Sequence, residues 1–497
     1  MLKILSVLLP LLLLSANARA GTITVQNGGS LHHALRQARE WRRTNDPRCE
    51  GGITIEVKAG RYYMSEPLFL RPEDSGTEGS PTIIRGEEGA VICGDPKQKH
   101  TQVWPKEGME RMTDFDTEAC TITIPAFDSL RMLPPNLEMV VHQRWAIAIL
   151  RVEALLAGDG SVVATFCESE SRLEFEHPWP QPVIGGERGN SSFLLRTTEQ
   201  RDGIEQLVIV DGASYMTFEG LTFENTCWNR PLHKGHVTLQ GGFPLVDAYK
   251  LAVPGLPWDE NLENQAWIER PVSAVTVRNA RNVDFKGCRF QHLGATALDF
   301  ESIDCGTVAG CTFEDIGGTA IMAGSFAESP REVHRPYTDL ASNCTGLNII
   351  KNVIHDAANE DWGAVGIGVG YARECTIRGN NVSHVNYSGI CIGWGWTPHD
   401  TGMTGNIIEG NTVSDFARQL YDAGGIYTLS NQPGSFIRDN IISQPFPAPY
   451  ATNDRAFPIY LDAHTDGFTI SGNRTENRPL RRSEIGDNHP GPHLIFP

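Results

Sequence analysis

The sequence predicts an all-β protein folded as a right-handed parallel β-helix (a solenoid), with an N-terminal capping helix and an inserted β-rich domain. Three observations predict this class. A short pattern recurs in the C-terminal half at steps of 28, 31, 29 and 33 residues. Each unit consists of short runs of β-branched and aromatic residues separated by Gly, Asn and Asp, and no amphipathic helix lies between units. Strands without a partner in their own unit must pair with the next unit, which produces a solenoid.

Residues 1–20, MLKILSVLLPLLLLSANARA, have the features of a secretory signal peptide. Lys3 precedes an apolar stretch, and Ala18-Arg19-Ala20 supplies the small residues expected at a cleavage site. The apolar stretch is shorter than the ~20 residues that a membrane-spanning helix needs. We therefore expect cleavage near Ala20, a secreted or periplasmic protein, and no membrane insertion.

Residues 21–94 are predicted to form the N-terminal cap and the first rungs. The segment GGSLHHALRQAREWRR has the periodicity of an amphipathic helix, with Ser30 as its N-cap. One face of this helix carries the apolar residues Leu31, Leu35, Ala38 and Trp41. Because a solenoid needs a cover on its open apolar end, we expect this helix to provide it.

Residues 95–205 interrupt the repeat. They contain Trp104, Trp145 and Trp179, several prolines, and the apolar segment HQRWAIAILRVEAL. We interpret this stretch as an inserted β-rich domain rather than as further rungs.

Residues 206–497 are predicted to form the main parallel β-helix and its catalytic groove. The recurring pattern is an apolar residue, two residues, a small or amide residue, one residue, and another apolar residue. Its fourth position is occupied by Leu221, Cys288, Cys311, Asn352, Asn380, Asn411, Asn440 and Asn473. The asparagines predict a ladder in which each amide bonds the one a rung away, and the two cysteines would be its small apolar members.

Charge and cysteine content exclude several classes of protein. The formal net charge of −18 argues against nucleic acid and anionic membranes as partners. The 11 cysteines include no CxxC pair, so their spacing indicates neither a zinc site nor a disulfide framework. We expect no metal and no cofactor.

One strip of residues on the repeated strands has the chemistry of a sugar-binding groove. The aligned strands are TALDFE, TAIMAG, VGIGVG, SGICIG, GGIYTL and FPIYLD, and their alternate residues are acids, aromatics and glycines. GWGW follows one of them, which adds Trp394 and Trp396. Apolar sugar faces stack on aromatic rings, while hydroxyls bond to acids. The alternative is that the glycines mark tight rungs and the tryptophans pack under a loop.

Several motifs resemble those of glycoside hydrolase family 141. They include VVHQRWAI, GLTFENTCW, EDWGAVGIGVG, YSGICIGWGW, DAGGIYTL and IYLDAH, and the resemblance extends over most of the mature chain. It implies a retaining glycosidase acting on plant cell-wall glycans, with α-L-fucosidase and xylanase as the associated activities. It also implies that the catalytic pair is Asp422, in DAGGIYT, and Asp462, in IYLD.

Around this pair we expect a set of substrate-binding residues: Glu301, Glu360, Asp361, Tyr387, Trp394, Trp396, Tyr427 and His464. The chain departs from the family in two places. Ala463-His464 stands where relatives have an acid in LDEG, and the segment after FLLRTTEQ is shortened.

The strand alignment bears on the mechanism. Parallel strands lie ~4.8 Å apart, close to the ~5–5.5 Å between the carboxyl groups of retaining glycosidases. However, Asp422 precedes its strand and Asp462 follows the matching one. A bulge or rung shift near DAGG is therefore needed to bring the two carboxyl groups together.

Two other functions remain open from the sequence. A polysaccharide lyase can use the same fold, but it would need Lys, Arg or a calcium cluster on the strip, and the aligned strands show neither. A non-catalytic glycan-binding protein is the second alternative.

Overall fold

The computed structural model describes residues 20–94, 102–104, 109–126, 134, 136–168, 170–176, 180–197, 203–238, 270–326, 343–446, 448, 450–452 and 454–497. The predicted signal peptide lies outside these residues, apart from Ala20.

Three parallel sheets wind around a common core to form the β-helix. In the described ranges, sheet A has 12 strands, sheet B has 9 and sheet C has 10. Sheet A comprises Gly21–Val25, Ile53–Val57, Thr82–Gly86, Met216–Glu219, Arg281–Lys286, Asp304–Ala309, Cys344–Ile350, Ala372–Arg373, Thr376–Arg378, Ile407–Glu409, Asn431–Arg438 and Asp466–Ser471. Sheet B comprises Gly60–Tyr63, Ala90–Cys93, Thr222–Glu224, Arg289–Leu293, Thr312–Ile316, Val353–Ala357, Asn381–Val385, Thr412–Ser414 and Ile441–Ile442. Sheet C comprises Leu68–Leu70, Val208–Asp211, Ser273–Arg278, Thr296–Glu301, Ile321–Ala323, Ile367–Val369, Ile390–Ile392, Ala423–Thr428, Ala456–Leu461 and Ile485–Asp487.

The predicted strand register holds throughout sheet C. The residues that we expected to point inward align on successive strands and are fully buried: Leu298, Ile321, Ile367, Ile390, Ile426 and Ile459. Stacked phenylalanines fill the core between the sheets, with ring centroids 4.6 Å apart for Phe290 and Phe313. Each rung therefore covers the apolar face of the next, as the repeat pattern predicts.

The predicted asparagine ladder is present. The side-chain amide of Asn380 donates to the side-chain oxygen of Asn411 at 2.9 Å, and Asn411 donates to Asn440 at 3.0 Å. Asn352 and Asn473 extend the column at its two ends, again at 2.9 Å. Each amide nitrogen also bonds a backbone carbonyl, so these buried amides satisfy one another and the turns beside them.

The helix Leu31–Arg43 packs against the first two strands of sheet A. The side chain of Ser30 accepts a hydrogen bond from the backbone N–H of His33, as expected for an N-cap. The predicted apolar face is buried in the main core. The other helices among the described residues are Glu170–Glu176 and Arg230–His233, with single 3₁₀ turns at Pro47–Cys49, Pro72–Asp74 and Arg482–Glu484.

A separate antiparallel sheet interrupts the β-helix. Its described strands are Gln102–Trp104, Glu110–Arg111, Asp114–Asp116, Thr121–Pro125, Leu137–His142, Ile147–Ala157, Ser161–Phe166, Ser192–Thr197 and His236–Thr238. It has its own apolar cluster, which includes Phe115, Phe175 and Phe193. The strand His236–Thr238 pairs with Ile147–Ala157, although it falls in the range 206–497 that we assigned to the β-helix. A strand that returns after position 205 therefore completes the inserted sheet.

None of the 11 cysteines, all of which lie within the described ranges, forms a disulfide. Cys288 and Cys311 are buried in the main core beside the ladder, as the repeat predicts. Among the described residues, no helix is both long and apolar enough to cross a membrane.

Candidate active site

Asp422 stands at the end of the turn that joins sheet B to sheet C, directly before the strand Ala423–Thr428. Its backbone is left-handed, with a φ of 65°, a conformation that Asp tolerates better than most residues. The hydroxyl of Tyr387 donates to the backbone carbonyl of Asp422 at 2.8 Å. Tyr387, expected to bind substrate, is fully buried and contacts the main chain of the proposed catalytic residue.

Asp462 follows the strand Ala456–Leu461 on the next rung, and only 2% of its surface is exposed. Both of its carboxyl oxygens accept hydrogen bonds. The amide of Asn488 donates to Oδ1 at 2.7 Å, and the hydroxyl of Tyr427 donates to Oδ2. Donors on both oxygens stabilise the charged carboxylate.

Two tyrosines connect the aspartates in a crossed arrangement. Tyr427 and Tyr460 are register partners on adjacent strands, with their ring centroids 5.3 Å apart and their planes perpendicular. Tyr427 lies on the strand that begins after Asp422 but donates to Asp462. Tyr460 lies on the strand that ends before Asp462 but donates to Oδ1 of Asp422 at 3.0 Å. Each phenol therefore holds the carboxylate of the other rung.

The bulge or rung shift that we expected near DAGG is absent from the pairing of these two strands. Ala423–Thr428 pairs with Ala456–Leu461 in one unshifted register, so that expectation is wrong. The tyrosine side chains instead span the distance between the two carboxyl groups, and the left-handed backbone of Asp422 places its carboxyl group within reach of Tyr460.

Burial and nearby charges shift the pKa values of several groups around the two aspartates. Burial, and after it the negative charge of Asp462, raise the pKa of Asp422 to about 7, while Arg455 and Tyr460 act against the shift. The Nε of Arg455 lies 3.6 Å from Oδ1 of Asp422. Burial and the nearby carboxylates hold the pKa values of Tyr427 and Tyr460 well above the usual range, so both hydroxyls stay protonated donors.

The inserted sheet packs against the same column of turns between sheets B and C. Buried Arg196 of the insertion pairs with Glu138 at 3.1 Å and donates to the backbone carbonyl of Glu360 at 3.2 Å. His142 lies between Trp362 and Tyr450, with ring centroids at 6.2 and 5.7 Å. The turns beside Asp422 are therefore covered by the insertion.

Glu360 and Asp361 lie in this column two strands before Asp422, a spacing of about 10 Å. Asp361 is almost fully buried, and burial raises its pKa to about 7. The carboxylate of Glu360 lies 3.8 Å from Arg196, which ties that residue to the insertion.

Glu301 is not near the pair. It occupies the same strand register as Asp462 but five strands earlier in sheet C, about 24 Å away. Our expectation that it reaches the catalytic pair is wrong, because each successive rung of a parallel solenoid lies one strand spacing further along the axis. His464 follows Asp462 by two residues, is partly exposed, and bonds the carbonyl of His489 through its backbone N–H at 3.0 Å.

The strip on sheet C is buried rather than open. Trp394 is fully buried and packs on Trp396 and Phe326, at ring centroid distances of 4.6 and 5.6 Å. Arg270 covers the earlier strands by forming two bonds to Asp299, at 2.5 and 2.7 Å. Our expectation that Trp394 and Trp396 form an exposed aromatic wall is therefore wrong. The contacts fit the alternative, in which the two tryptophans are packed in the interior.

Three residues of the site were missed by the sequence analysis. Tyr460 lay on the aligned strip but was not among the expected site residues. Asn488 directly follows the last strand, Ile485–Asp487, in a segment without the repeat pattern. Arg455 precedes the strand Ala456–Leu461, opposite Asp422, and the register of that strand could have indicated it. Within the part of the chain that the structure describes, no cluster of three or more His, Cys, Asp or Glu residues could hold a metal.

Comparisons with known proteins agree with this architecture. Residues 95–202 match the model described as GH141 insertion domain, and residues 340–482 match the right-handed beta helix region. A solved structure titled "Glycoside hydrolase" is 32% identical, with 96% of each chain covered and a TM-score of 0.85. A comparison with curated proteins gives no match.

Two other solved structures are only weakly similar. The GH136 lacto-N-biosidase from Eubacterium ramulus is 11% identical, with 96% of this chain and 68% of that chain covered and a TM-score of 0.39. The Streptococcus pneumoniae surface protein and adhesin PfbA is also 11% identical, with 96% and 99% covered and a TM-score of 0.41. At these TM-scores, neither structure indicates the function of this chain. The insertion, the β-helix and the 32% identity over 96% of both chains show that this chain belongs to the β-helix glycoside hydrolases similar to family 141.

Proposed function

We propose that this enzyme is a secreted or periplasmic retaining glycosidase that uses Asp422 and Asp462 on plant cell-wall glycans. The observation that carries the proposal is the crossed pair, in which Tyr427 and Tyr460 hold two buried carboxyl groups of adjacent rungs. Two carboxyl groups beside one another are the machinery that most glycosidases use. The inserted sheet covers the adjacent turns, which helps to keep water from the reacting bond.

The reaction has two steps. One aspartate attacks the anomeric carbon while the other donates its proton to the departing glycosidic oxygen, so one C–O bond forms as the other breaks. The second aspartate, now ionised, takes a proton from water. The resulting hydroxide equivalent attacks the anomeric carbon and releases the first carboxylate.

The resemblance to family 141 supports α-L-fucosidase or xylanase-like activity as the specificity. The acid of LDEG is replaced by Ala463-His464, so His464 would present a different group to the sugar than relatives do. Asp361, buried in the turn two rungs before Asp422, is proposed to contact a substrate that extends beyond the bond cleaved.

The test is a screen of α-L-fucosides, xylan and plant cell-wall oligosaccharides with the purified enzyme. Release of reducing sugar without new absorbance from unsaturated uronates supports a hydrolase. Appearance of that absorbance would instead show a lyase, and binding without any product would show a glycan-binding protein. Proton NMR of the first product gives the anomeric configuration, and an inverted product would contradict the retaining mechanism.

A further inference from the structure

The final strand of sheet C brings a residue from the C-terminal segment to the catalytic pair. Ile485–Asp487 pairs with Ala456–Leu461, and the backbone N–H of Asn488 donates to the carbonyl of Leu461 at 3.0 Å. That bond fixes Asn488 directly beside Asp462, and its amide donates to Oδ1 at 2.7 Å.

Asp462 accepts hydrogen bonds from an amide and from a hydroxyl, which are different kinds of donor. An asparagine amide nitrogen can only donate, so Oδ1 cannot carry a proton toward it. The other donor is the hydroxyl of Tyr427, which occupies Oδ2. At Asp422, the hydroxyl of Tyr460 donates to Oδ1, and the guanidinium of Arg455 lies 3.6 Å from the same oxygen.

We propose that Asn488 is a positioning residue that, with Tyr427, holds Asp462 ionised as the nucleophile, which leaves Asp422 as the acid and base. This inference rests on the proposed function and assigns the two roles within it. The last rung is thus part of the catalytic centre, although it lies 26 residues after Asp462. The high pKa of Asp422, raised by burial and by the charge of Asp462, agrees with this division.

Other charged and titratable groups near Asp462 act electrostatically on the catalytic pair. The charged or titratable side chains that act on the pair or flank it are Asp422, Tyr427, Arg455, Tyr460, His464, Asp487 and His489. Arg482 already pairs with Asp487 at 2.6 Å, so that carboxylate is partly neutralised. The side chain of Asn488 is neutral and does not titrate, so its removal changes hydrogen bonding without changing net charge.

The test is the pH profile of kcat/KM for Asn488→Ala, with Asn473→Ala as the control. The control removes another buried amide from the end of the ladder, which bonds Asn440 and not Asp462. Loss of the donor makes Asp462 harder to ionise, so the acidic limb should move up by about one pH unit in Asn488→Ala. The control should lose stability and leave the limb in place. An unmoved acidic limb in Asn488→Ala, or an equal movement in the control, would overturn the inference.

A second measurement identifies the nucleophile directly. Asp462→Ala supplied with azide should form a glycosyl azide of inverted anomeric configuration, because azide replaces the missing nucleophile. A glycosyl azide of retained configuration would reverse the two roles and overturn the inference. Full hydrolytic activity of Asp462→Ala without azide would instead refute the proposed function, so the two failures are distinguishable.

Discussion

Tyr427 and Tyr460 stand side by side on adjacent rungs, and each donates its hydroxyl to the aspartate on the other's rung. These two side-chain hydrogen bonds link rungs that would otherwise be joined here by backbone pairing alone. It also gives each aspartate one tyrosine whose removal should affect that aspartate selectively.

Tyr460→Phe is expected to move the basic limb of the kcat/KM profile to higher pH by roughly half to one unit. The hydroxyl of Tyr460 stabilises the ionised form of Asp422, so its loss raises that pKa, and the acidic limb should stay in place. Tyr387→Phe is the matched control, because that hydroxyl donates to the backbone carbonyl of Asp422. Movement of the acidic limb alone in Tyr460→Phe would contradict the crossed assignment.

Asp422→Asn is expected to stabilise the protein more at pH 8 than at pH 4.5. Between pH about 4 and 7 the unfolded chain loses this proton while the folded protein keeps it, so the carboxyl's contribution to stability falls as the pH rises from about 4 to about 7. The variant does not titrate, so its stability relative to the wild type should be on the order of 3 kcal/mol higher at pH 8 than at pH 4.5. Chemical denaturation at both pH values measures it. An equal gap at both would show that Asp422 is not held protonated by the fold.

Asn411→Leu is expected to lower the free energy of unfolding by roughly 1–3 kcal/mol, because its buried neighbours lose a partner. Asn381→Leu is the control, since Asn381 is exposed and stands next to the ladder residue Asn380. Urea denaturation of the two variants compares them. A control that loses as much as Asn411→Leu would mean that the ladder adds nothing beyond general packing.

Arg196→Met is expected to destabilise the protein by about 3–5 kcal/mol, because Glu138 would remain buried without its charged partner. Glu138→Gln in the same chain should recover much of this loss, since it removes the uncompensated charge. Denaturation of both variants tests the pairing. If the second substitution restores nothing, the cost arises from the lost contact with Glu360 instead.

The sequence predicted the repeated parts of this molecule because the fold repeats. Asn380, Asn411 and Asn440 recur at near-constant steps, and each occupies the same place on its rung. The spacing in the sequence therefore gives the position in the fold directly. The helix Leu31–Arg43 was predictable for a similar reason, since a local periodicity and an N-cap define it.

The site was less predictable because its residues are not repeats. Asn488 reaches Asp462 from a segment with no pattern, and the two tyrosines link the aspartates without the bulge that we expected from the strand alignment. Alternation along sheet C did not predict the burial of Trp394, which depends on Phe326 and other groups that cover the strip. Glu301 shares the strand register of Asp462 but lies five strands earlier, a separation that the order of the aligned strands already implied.

The most direct test of the account is the turnover of Asp422→Asn and Asp462→Asn beside Asp466→Asn, on the substrate that the screen identifies. Asp466 is a buried acid four residues after Asp462 that bonds His493 at 2.7 Å, so its variant controls for loss of a buried carboxylate. We predict that each catalytic variant folds and loses roughly 10³-fold or more in kcat, while Asp466→Asn stays within a few-fold of wild type. Retention of more than about a tenth of wild-type kcat by Asp422→Asn or Asp462→Asn would contradict the assignment of this pair.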